Sequence, residues 1–384
     1  MKQSINESLL NVLDKRKQQS LYRYLQPENA LADFCSNDYL SFSRSAISHQ
    51  AIANSDQAAQ PLTGATGSRS ISGNTRYAEE LERMLAGFHN AEAGLLFNSG
   101  YDANLGLFSC IAGKQDTLIS DELIHASIID GSRLSYAARF RFSHNDADDL
   151  EKKLRHVTRE ERTPGANIFV AVESVYSMDG DMAPLKEIAA VCKLYHANLV
   201  VDEAHATGVF GRQGRGLVNH FELEDDVFAR IHTFGKAIGA HGAVIIGSEV
   251  LRNYLINFAR SFIFTTALPT HSLITVRCAY ERLMDENFDN EYLHQLIAGF
   301  KKGFPAKEGI SLIESNSPVQ SVIIPGNQRA RNISKELQAR GFDIRSILSP
   351  SVPAGKERLR ISLHMHNTFE EVAALKQALN ELLD

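Results

Sequence analysis

Short, almost wholly apolar runs, each breaking off at one or two polar residues, are what most restrict the fold of this chain. NIFVAVE (167–173) ends in Glu173-Ser174, and NLVVD (198–202) ends in Asp202. A run through Ile231 ends at Thr233, and HGAVIIG (241–247) follows. Between and before them lie stretches with apolar residues at helical spacing. Leu81, Met84, Leu85 and Phe88 make one such stretch, and Leu185, Ile188, Ala189, Cys192 and Tyr195 behind Pro184 make another. Strands with no polar face must be covered on both sides, and alternating helices supply the cover. The expectation is an α/β fold with a mostly parallel sheet, in which functional groups collect at the carboxyl tips of the strands.

The flanks read differently. Residues 3–18 suggest an amphipathic helix with Ile5, Leu9, Val12 and Leu13 on one side, and LADFCSNDYLSF suggests a short strand breaking at Asn37-Asp38. PLTGATGSRSISGNTRY (61–77) reads as a long loop, followed by a helix from about Tyr77 to Phe88. GLLF then runs into Asn98-Ser99-Gly100-Tyr101, with a helix expected from near Ala103. After FIFTTALP (262–269), a helix from about Thr270 to Met284 leads into a smaller α+β pattern. That pattern holds PVQSVIIPG, a helix from Gln328 to Arg340, FDIRSI, RLRISLH, and a last helix opening on the capping-box spacing Thr368-Phe369-Glu370-Glu371. The expected division is an N-terminal helix and arm at 1–44, a large domain at 45–275 and a small C-terminal domain at 276–384.

Charge and cysteine usage narrow the function class. With 40 basic and 46 acidic residues, a nucleic acid or an anionic membrane is a poor partner, though a local basic pocket remains compatible. Cys35, Cys110, Cys192 and Cys278 lie far apart with no C-x-x-C pair, which suits free thiols in a reducing compartment. The first twenty residues carry acids and lack an apolar run, so neither a signal nor a transit peptide is expected. No apolar run approaches the roughly 20 residues of a membrane span. A cytoplasmic protein is the expectation.

Two strand tips carry the chemistry. Asp202 with His205, and Thr233 with Lys236, offer a carboxylate, an imidazole, a hydroxyl and an amine at adjacent positions. That set matches what pyridoxal 5'-phosphate (PLP) asks of a protein. Lys236 is the candidate to join the cofactor aldehyde, and Asp202 to keep the ring nitrogen protonated. His125 can stack on the ring, and Ser177 and His205 can donate to its phenolate oxygen. The backbone N–H groups of Gly100 and Tyr101, with the Thr233 hydroxyl, can hold the phosphate. Each residue alone has a plainer reading: a surface lysine, a helix-capping aspartate, a core histidine. Their joint occurrence favours the cofactor. Rival chemistries lack their motifs. Gly211-Arg212-Gln213-Gly214-Arg215-Gly216 is not in dinucleotide-binding order, and no G-x-S-x-G, H-E-x-x-H or Walker A sequence occurs. No metal is expected.

The strings SNDYL, GSRSISG, ESVYSMDGD, VDEAHATGVFG, QGRG and HTFGKAIG together resemble the α-oxoamine synthases, over nearly the whole chain. These PLP enzymes of fold type I condense an amino acid with an acyl-CoA and lose CO2. H-A-T-G, H-T-F-G-K and ARSFIFTTALP are most similar to members that join L-alanine to a pimeloyl thioester. The resemblance implies a homodimer with sites at the subunit interface. It implies Lys236, His125, Asp202 and His205 as the catalytic set, and Gly100, Tyr101, Ser177 and Thr233 as further cofactor-binding residues. Thr265 or Thr266 would reach the phosphate of the neighbouring subunit. Asn37 and Arg360 match positions for the amino-acid carboxylate, and Arg23 and Ser351 match the acyl side. The chain departs from the family's I-R-P-P-T-V-P turn, reading Ile347-Leu348-Ser349-Pro350-Ser351-Val352-Pro353 with Arg345 three residues before the lost arginine. A sister synthase with other substrates, an aminotransferase and a non-catalytic PLP-binding protein stay open on these residues.

Overall fold

The structure, a computed structural model, describes residues 4–19, 21–45, 50, 53, 64–159, 165–304 and 309–383. Residues 1–31 and 32–384 are two separate units. In the first, the helix Ile5–Gln18 starts on a full capping box: Glu7 N–H donates to Ser4 Oγ and Ser4 N–H to Glu7 Oε2. Lys15, Arg16 and Lys17 in its last turn complement the helix dipole. The apolar residues Ile5, Leu9, Val12 and Leu13 are all exposed.

The second unit contains strands β1 (Ala32–Asp33), β2 (Ala93–Phe97), β3 (Thr117–Asp121), β4 (Ala138–Phe142) and β5 (Ile168–Glu173). β6 (Asn198–Asp202), β7 (Ala229–Thr233) and β8 (Ala243–Gly247) follow, then β9 (Ser311–Leu312), β10 (Val319–Ile323), β11 (Phe342–Asp343), β12 (Arg345–Ile347) and β13 (Arg358–Ser362). Seven of them make one sheet in the order β2-β8-β7-β6-β5-β3-β4. β3 to β7 run parallel, whereas β8 is antiparallel to both neighbours. The fold is α/β, with a mostly parallel sheet and a smaller antiparallel sheet, β12-β13-β10-β9, made from the C-terminal third.

Side chains on successive strand residues enter different cores, as a doubly covered sheet requires. Phe169, Ala171, Val200, Ala229 and Ile231 pack with the helix Gly100–Cys110 on one face. Ile168, Val170, Val172, Leu199 and Val201 pack with the helices Ala147–Arg159 and Leu185–Leu194 on the other. A third core joins Val244 and Ile246 to the small sheet and to Phe34, Tyr39 and Leu40. The segment Phe34–Leu40, a strap across this core, is pinned to residues 362–365 by backbone bonds, Ser362 N–H to Phe34 O at 2.9 Å and Met365 N–H to Tyr39 O at 2.9 Å.

Several local readings are corrected. The strand expected in LADFCSNDYLSF shrinks to Ala32–Asp33, because Asp33 turns the chain by accepting from the N–H groups of Cys35 and Ser36. The expected loop at 61–77 contains a π-helical turn, Arg69–Gly73, and its residues 61–63 lie outside the described residues. Glu82 holds this turn by pairing with Arg69. The helix expected near Ala103 begins at Gly100, because Ser99 is its N-cap and accepts from Asp102 N–H. FIFTTALP begins inside a short helix, Arg260–Ile263. The helices Glu249–Phe258 and Glu291–Lys301, and β4, had no counterpart in the sequence reading.

Candidate active site

A cavity of about 210 Å³ opens at the carboxyl tips of β5, β6 and β7. Its walls include Asn37, Gly100, Tyr101, His125, Asp202, Thr233 and Lys236, seven residues singled out from the sequence. Ser99, Asn104, Ser127, Glu173, Gly235 and His241 also line it. Strand register explains the focus: Glu173 pairs with Asp202, and Asp202 with Ile231, two residues before Thr233.

Asp202 ends β6 buried, with both oxygens held. Oδ1 accepts from Ala204 N–H at 2.9 Å and Oδ2 from Asn104 Nδ2 at 2.7 Å. Asn104 also donates to Ser127 Oγ at 3.0 Å, and Ser127 Oγ lies 2.7 Å from His125 Nδ1. His125 caps the helix Ala126–Leu134, its Nδ1 accepting from Ser127 N–H. With Nδ1 an acceptor, the neutral ring carries its proton on Nε2. Burial lowers the His125 pKa, Lys236 lowers it further, and Asp202 opposes both. The relay Asp202–Asn104–Ser127–His125 fixes the carboxylate and the imidazole against each other.

Lys236 follows the tip of β7 and reaches the cavity. Burial pushes its pKa down; Asp202 and Glu173 pull it up, and Arg360 adds to the depression. A lowered lysine supplies more of the neutral amine that a nucleophile or base needs. Glu173 is buried with Oε1 lacking a hydrogen-bond partner among the described residues. Burial first and the charge of Asp202 second hold its pKa well above the usual carboxylate range, against Lys236. His205 is held well below the usual imidazole range by burial, then Lys236, Arg360 and His125. It is buried and not among the residues lining the cavity, with Nδ1 2.7 Å from the Tyr39 hydroxyl.

At the other end, Ser99 opens a helix whose first N–H groups, on Gly100 and Tyr101, have no intrahelical acceptor by geometry. Thr233 Oγ1 is buried and without a partner among the described residues. A Cβ on Gly100 would stand 2.4 Å from Thr233 Cγ2, so only glycine lets the helix start approach this hydroxyl. Orphaned hydroxyl, helix N-terminus and close approach fit a phosphate. With Asp202, His125 and Lys236 around one cavity, the residues present fit PLP.

Arg360, on β13, donates through Nε to Ser177 O at 2.7 Å, through Nη1 to Ser362 Oγ at 3.0 Å and through Nη2 to Asn37 Oδ1 at 2.9 Å. Asn37 and Arg360 are therefore brought together, and Ser177 meets them through its carbonyl. Asn98 Nδ2 donates to Thr265 Oγ1 and Thr266 O, both at 2.9 Å. Ser351 is exposed in the turn after β12, and Leu348 packs against the C-terminal core. Arg345 pairs with Asp343 at 2.8 Å. Arg23 belongs to the 1–31 unit and is exposed. Asn104, Ser127, Glu173 and Tyr39 escaped the sequence reading. Of these, only Glu173 left a signal, as the polar end of an apolar run.

The Gly211–Gly216 segment has a structural explanation. A Cβ on Gly216 would lie 2.8 Å from the Glu203 carboxylate carbon, and one on Gly214 2.6 Å from Gly208 Cα. Buried Glu203 accepts from Leu217 N–H at 3.0 Å, Val218 N–H at 2.6 Å and Ser174 Oγ at 2.7 Å.

The aminotransferase class I and II family model matches residues 30–375. An 8-amino-7-oxononanoate synthase of Emericella nidulans is 43% identical over 98% of this chain and 95% of its own length. That of Cellvibrio japonicus is 38% identical over 100% and 98%. Among solved structures, Sphingomonas wittichii serine palmitoyltransferase superposes with a TM-score of 0.87 at 28% identity, covering 99% of this chain and 98% of that one. The 8-amino-7-oxononanoate synthase of Francisella tularensis gives 0.77 at 30% identity, covering 92% and 98%. With its strand-tip cavity and these full-length likenesses, the chain belongs to the aminotransferase class I and II family, in its 8-amino-7-oxononanoate synthase group.

Proposed function

We propose that the protein condenses L-alanine with a pimeloyl thioester, of CoA or of an acyl-carrier protein, to give 8-amino-7-oxononanoate, the free thiol and CO2. The reaction serves biotin biosynthesis. The observation that carries this reading is the joining of Lys236, Asp202 and His125 around one cavity beside the Asn37–Arg360 pair. Bound PLP would supply the electron sink for the pairs freed at Cα by deprotonation and by loss of CO2.

The protein's own groups do the rest. Thr233 and the helix start at Gly100 and Tyr101 would hold the phosphate, and Asp202, fixed by Asn104, would hold the ring nitrogen proton. His125 would lie against the ring face; His205 and Ser177 would serve the side of the ring oxygen. Arg360 and Asn37 orient the amino-acid carboxylate, the guanidinium offering parallel donors. Lys236, its amine favoured by burial, takes the Cα proton and later returns one. Arg23 and Ser351 are assigned to the acyl side, where Leu348 replaces the family's arginine.

The same reading divides the chain at 1–44, 45–275 and 276–384, supported by the large sheet ending at Gly247 and the small one starting at Ser311. It also makes the protein a homodimer, with Thr265 or Thr266 serving the neighbouring site. A cytoplasmic place is supported by four free cysteines. Among the described residues no helix is long and apolar enough to cross a membrane. The test is a panel of L-alanine, glycine and L-serine against acyl-CoA and acyl-carrier thioesters, followed by thiol release. L-Alanine with the pimeloyl thioester should give the highest kcat/KM. Preference for glycine or serine would move the protein to a sister synthase, and amino-group exchange with a keto acid, without thiol release, would make it an aminotransferase.

A further inference from the structure

Tyr39 lies between the Asn37–Arg360 pair and the buried ring of His205. It is itself fully buried, in the strap. Its hydroxyl has three neighbours: His205 Nδ1 at 2.7 Å, Asn37 Oδ1 at 3.1 Å and Arg360 Nη2 at 3.4 Å. A guanidinium only donates, so the contact with Arg360 uses the hydroxyl oxygen as acceptor. The single Tyr39 proton is left to serve either His205 or Asn37. Hydroxyl donors lie about 2.5–3.0 Å from their acceptors, a range that the His205 contact meets and the Asn37 contact does not. Asn37 Oδ1 already accepts from Arg360 Nη2 at 2.9 Å, whereas His205 Nδ1 has no other donor among the described residues. The reverse arrangement, Nδ1–H donating to Tyr39 and Tyr39 donating to Asn37, would make the long contact the O–H bond. The Tyr39 proton therefore goes to His205 Nδ1.

That choice sets the other ring nitrogen. Burial, then Lys236, Arg360 and His125, keep the imidazole neutral, so accepting at Nδ1 places its one proton on Nε2. We propose that Tyr39 is a positioning residue, holding His205 with its proton on Nε2 so that this nitrogen donates to the phenolate oxygen of bound PLP. The inference rests on the place given above to His205, at the side of the ring oxygen. A donor there stabilises the charged oxygen, whereas a lone pair on Nε2 would repel it. Arg360 touches the same hydroxyl, so the residues assigned to the amino-acid carboxylate and the donor assigned to the ring share one tyrosine.

The test follows the visible absorbance of the PLP-loaded protein through a pH titration, with no turnover involved. His205→Leu should raise the midpoint by about one pH unit or more, the scale of a hydrogen bond to a charged oxygen. Tyr39→Phe, which keeps the aromatic ring in the core and removes only the hydroxyl, should move it the same way. The double variant should match His205→Leu alone, because Tyr39 acts through His205. In the apoprotein, NMR of isotope-labelled histidine nitrogens, with His205→Leu identifying the signal, should show the His205 proton on Nε2. A proton on Nδ1, a midpoint that His205→Leu moves and Tyr39→Phe does not, or shifts that simply add in the double variant would each overturn the proposal. A midpoint unmoved by His205→Leu would take His205 away from the ring oxygen, and the proposal with it, while leaving the assigned reaction standing. Circular dichroism identifies a misfolded variant; if Tyr39→Phe is one, the position of the proton in the wild-type apoprotein decides.

Discussion

Asn104 ties the Asp202 carboxylate to the Ser127–His125 pair, donating to Asp202 at 2.7 Å and to Ser127 at 3.0 Å. Replacing it by Leu removes both donors and leaves a buried carboxylate oxygen unsatisfied, at a cost of about 1–3 kcal/mol. Asn104→Leu should therefore loosen PLP by about ten-fold or more, seen by titrating cofactor into the apoprotein. Unchanged affinity would remove Asn104 from the relay. Lys236→Ala should lower kcat by at least about 10²–10⁴-fold while the fold survives, measured by thiol release. Asp202, His125 and Lys236 were legible because each ends or follows an apolar run and carries reactive chemistry. Asn104 was not. It lies inside a largely apolar helix, and only the packing of Gly100–Cys110 under the β6 tip gives its amide a purpose.

At the scale of elements, the parallel core strands were readable because burial on both faces leaves a continuous apolar run. β4 was not: Ala138 and Arg139 are exposed and only Phe142 is buried, as befits the sheet edge. The antiparallel direction of β8 left no mark, since a doubly buried strand looks alike either way. The Gly211–Gly216 segment was set aside as a nucleotide motif for its order, and its packing on Glu203 supplies the reason for its glycines. Gly216 has φ +106°, and a Cβ there would meet both Glu203 oxygens at 2.9 Å. Gly216→Ala should destabilise the protein by about 1–3 kcal/mol in urea unfolding.

A second element-scale prediction concerns His144, which joins Asp121 at the β3 tip to Asp181 in the loop after β5, at 2.9 Å and 2.7 Å. Burial alone would lower its pKa, but the hydrogen bonds to Asp121 and Asp181, with their charges, raise it to about 9. A raised folded value means this stabilisation is complete below the unfolded value of about 6.5 and is lost as pH rises through about 9. The melting temperature of the wild type should fall over that interval more steeply than that of His144→Gln. Parallel curves would contradict the assignment.

For the whole molecule, the site is assembled from parts distant in sequence. The large sheet supplies Asp202, Thr233 and Lys236; the small sheet supplies Arg360; the strap supplies Asn37 and Tyr39. The alternation of strands and helices made the sheets foreseeable, but the meeting of Asn37 with Arg360, 323 positions apart, depends on long-range packing that periodicity does not encode. Family resemblance had paired them in role; the 2.9 Å bond pairs them in space. Arg360→Lys loses the planar fork, so it should raise KM for the amino acid by about ten-fold or more, with a smaller effect on kcat. The central claim is that this assembly makes a carbon–carbon bond at the expense of a carboxylate and a thioester. The most direct measurement is product stoichiometry with L-alanine and pimeloyl-CoA. Free thiol, CO2 and 8-amino-7-oxononanoate should appear in equal amounts with the wild type and not with Lys236→Ala. Thiol release without CO2 or the amino ketone would contradict it.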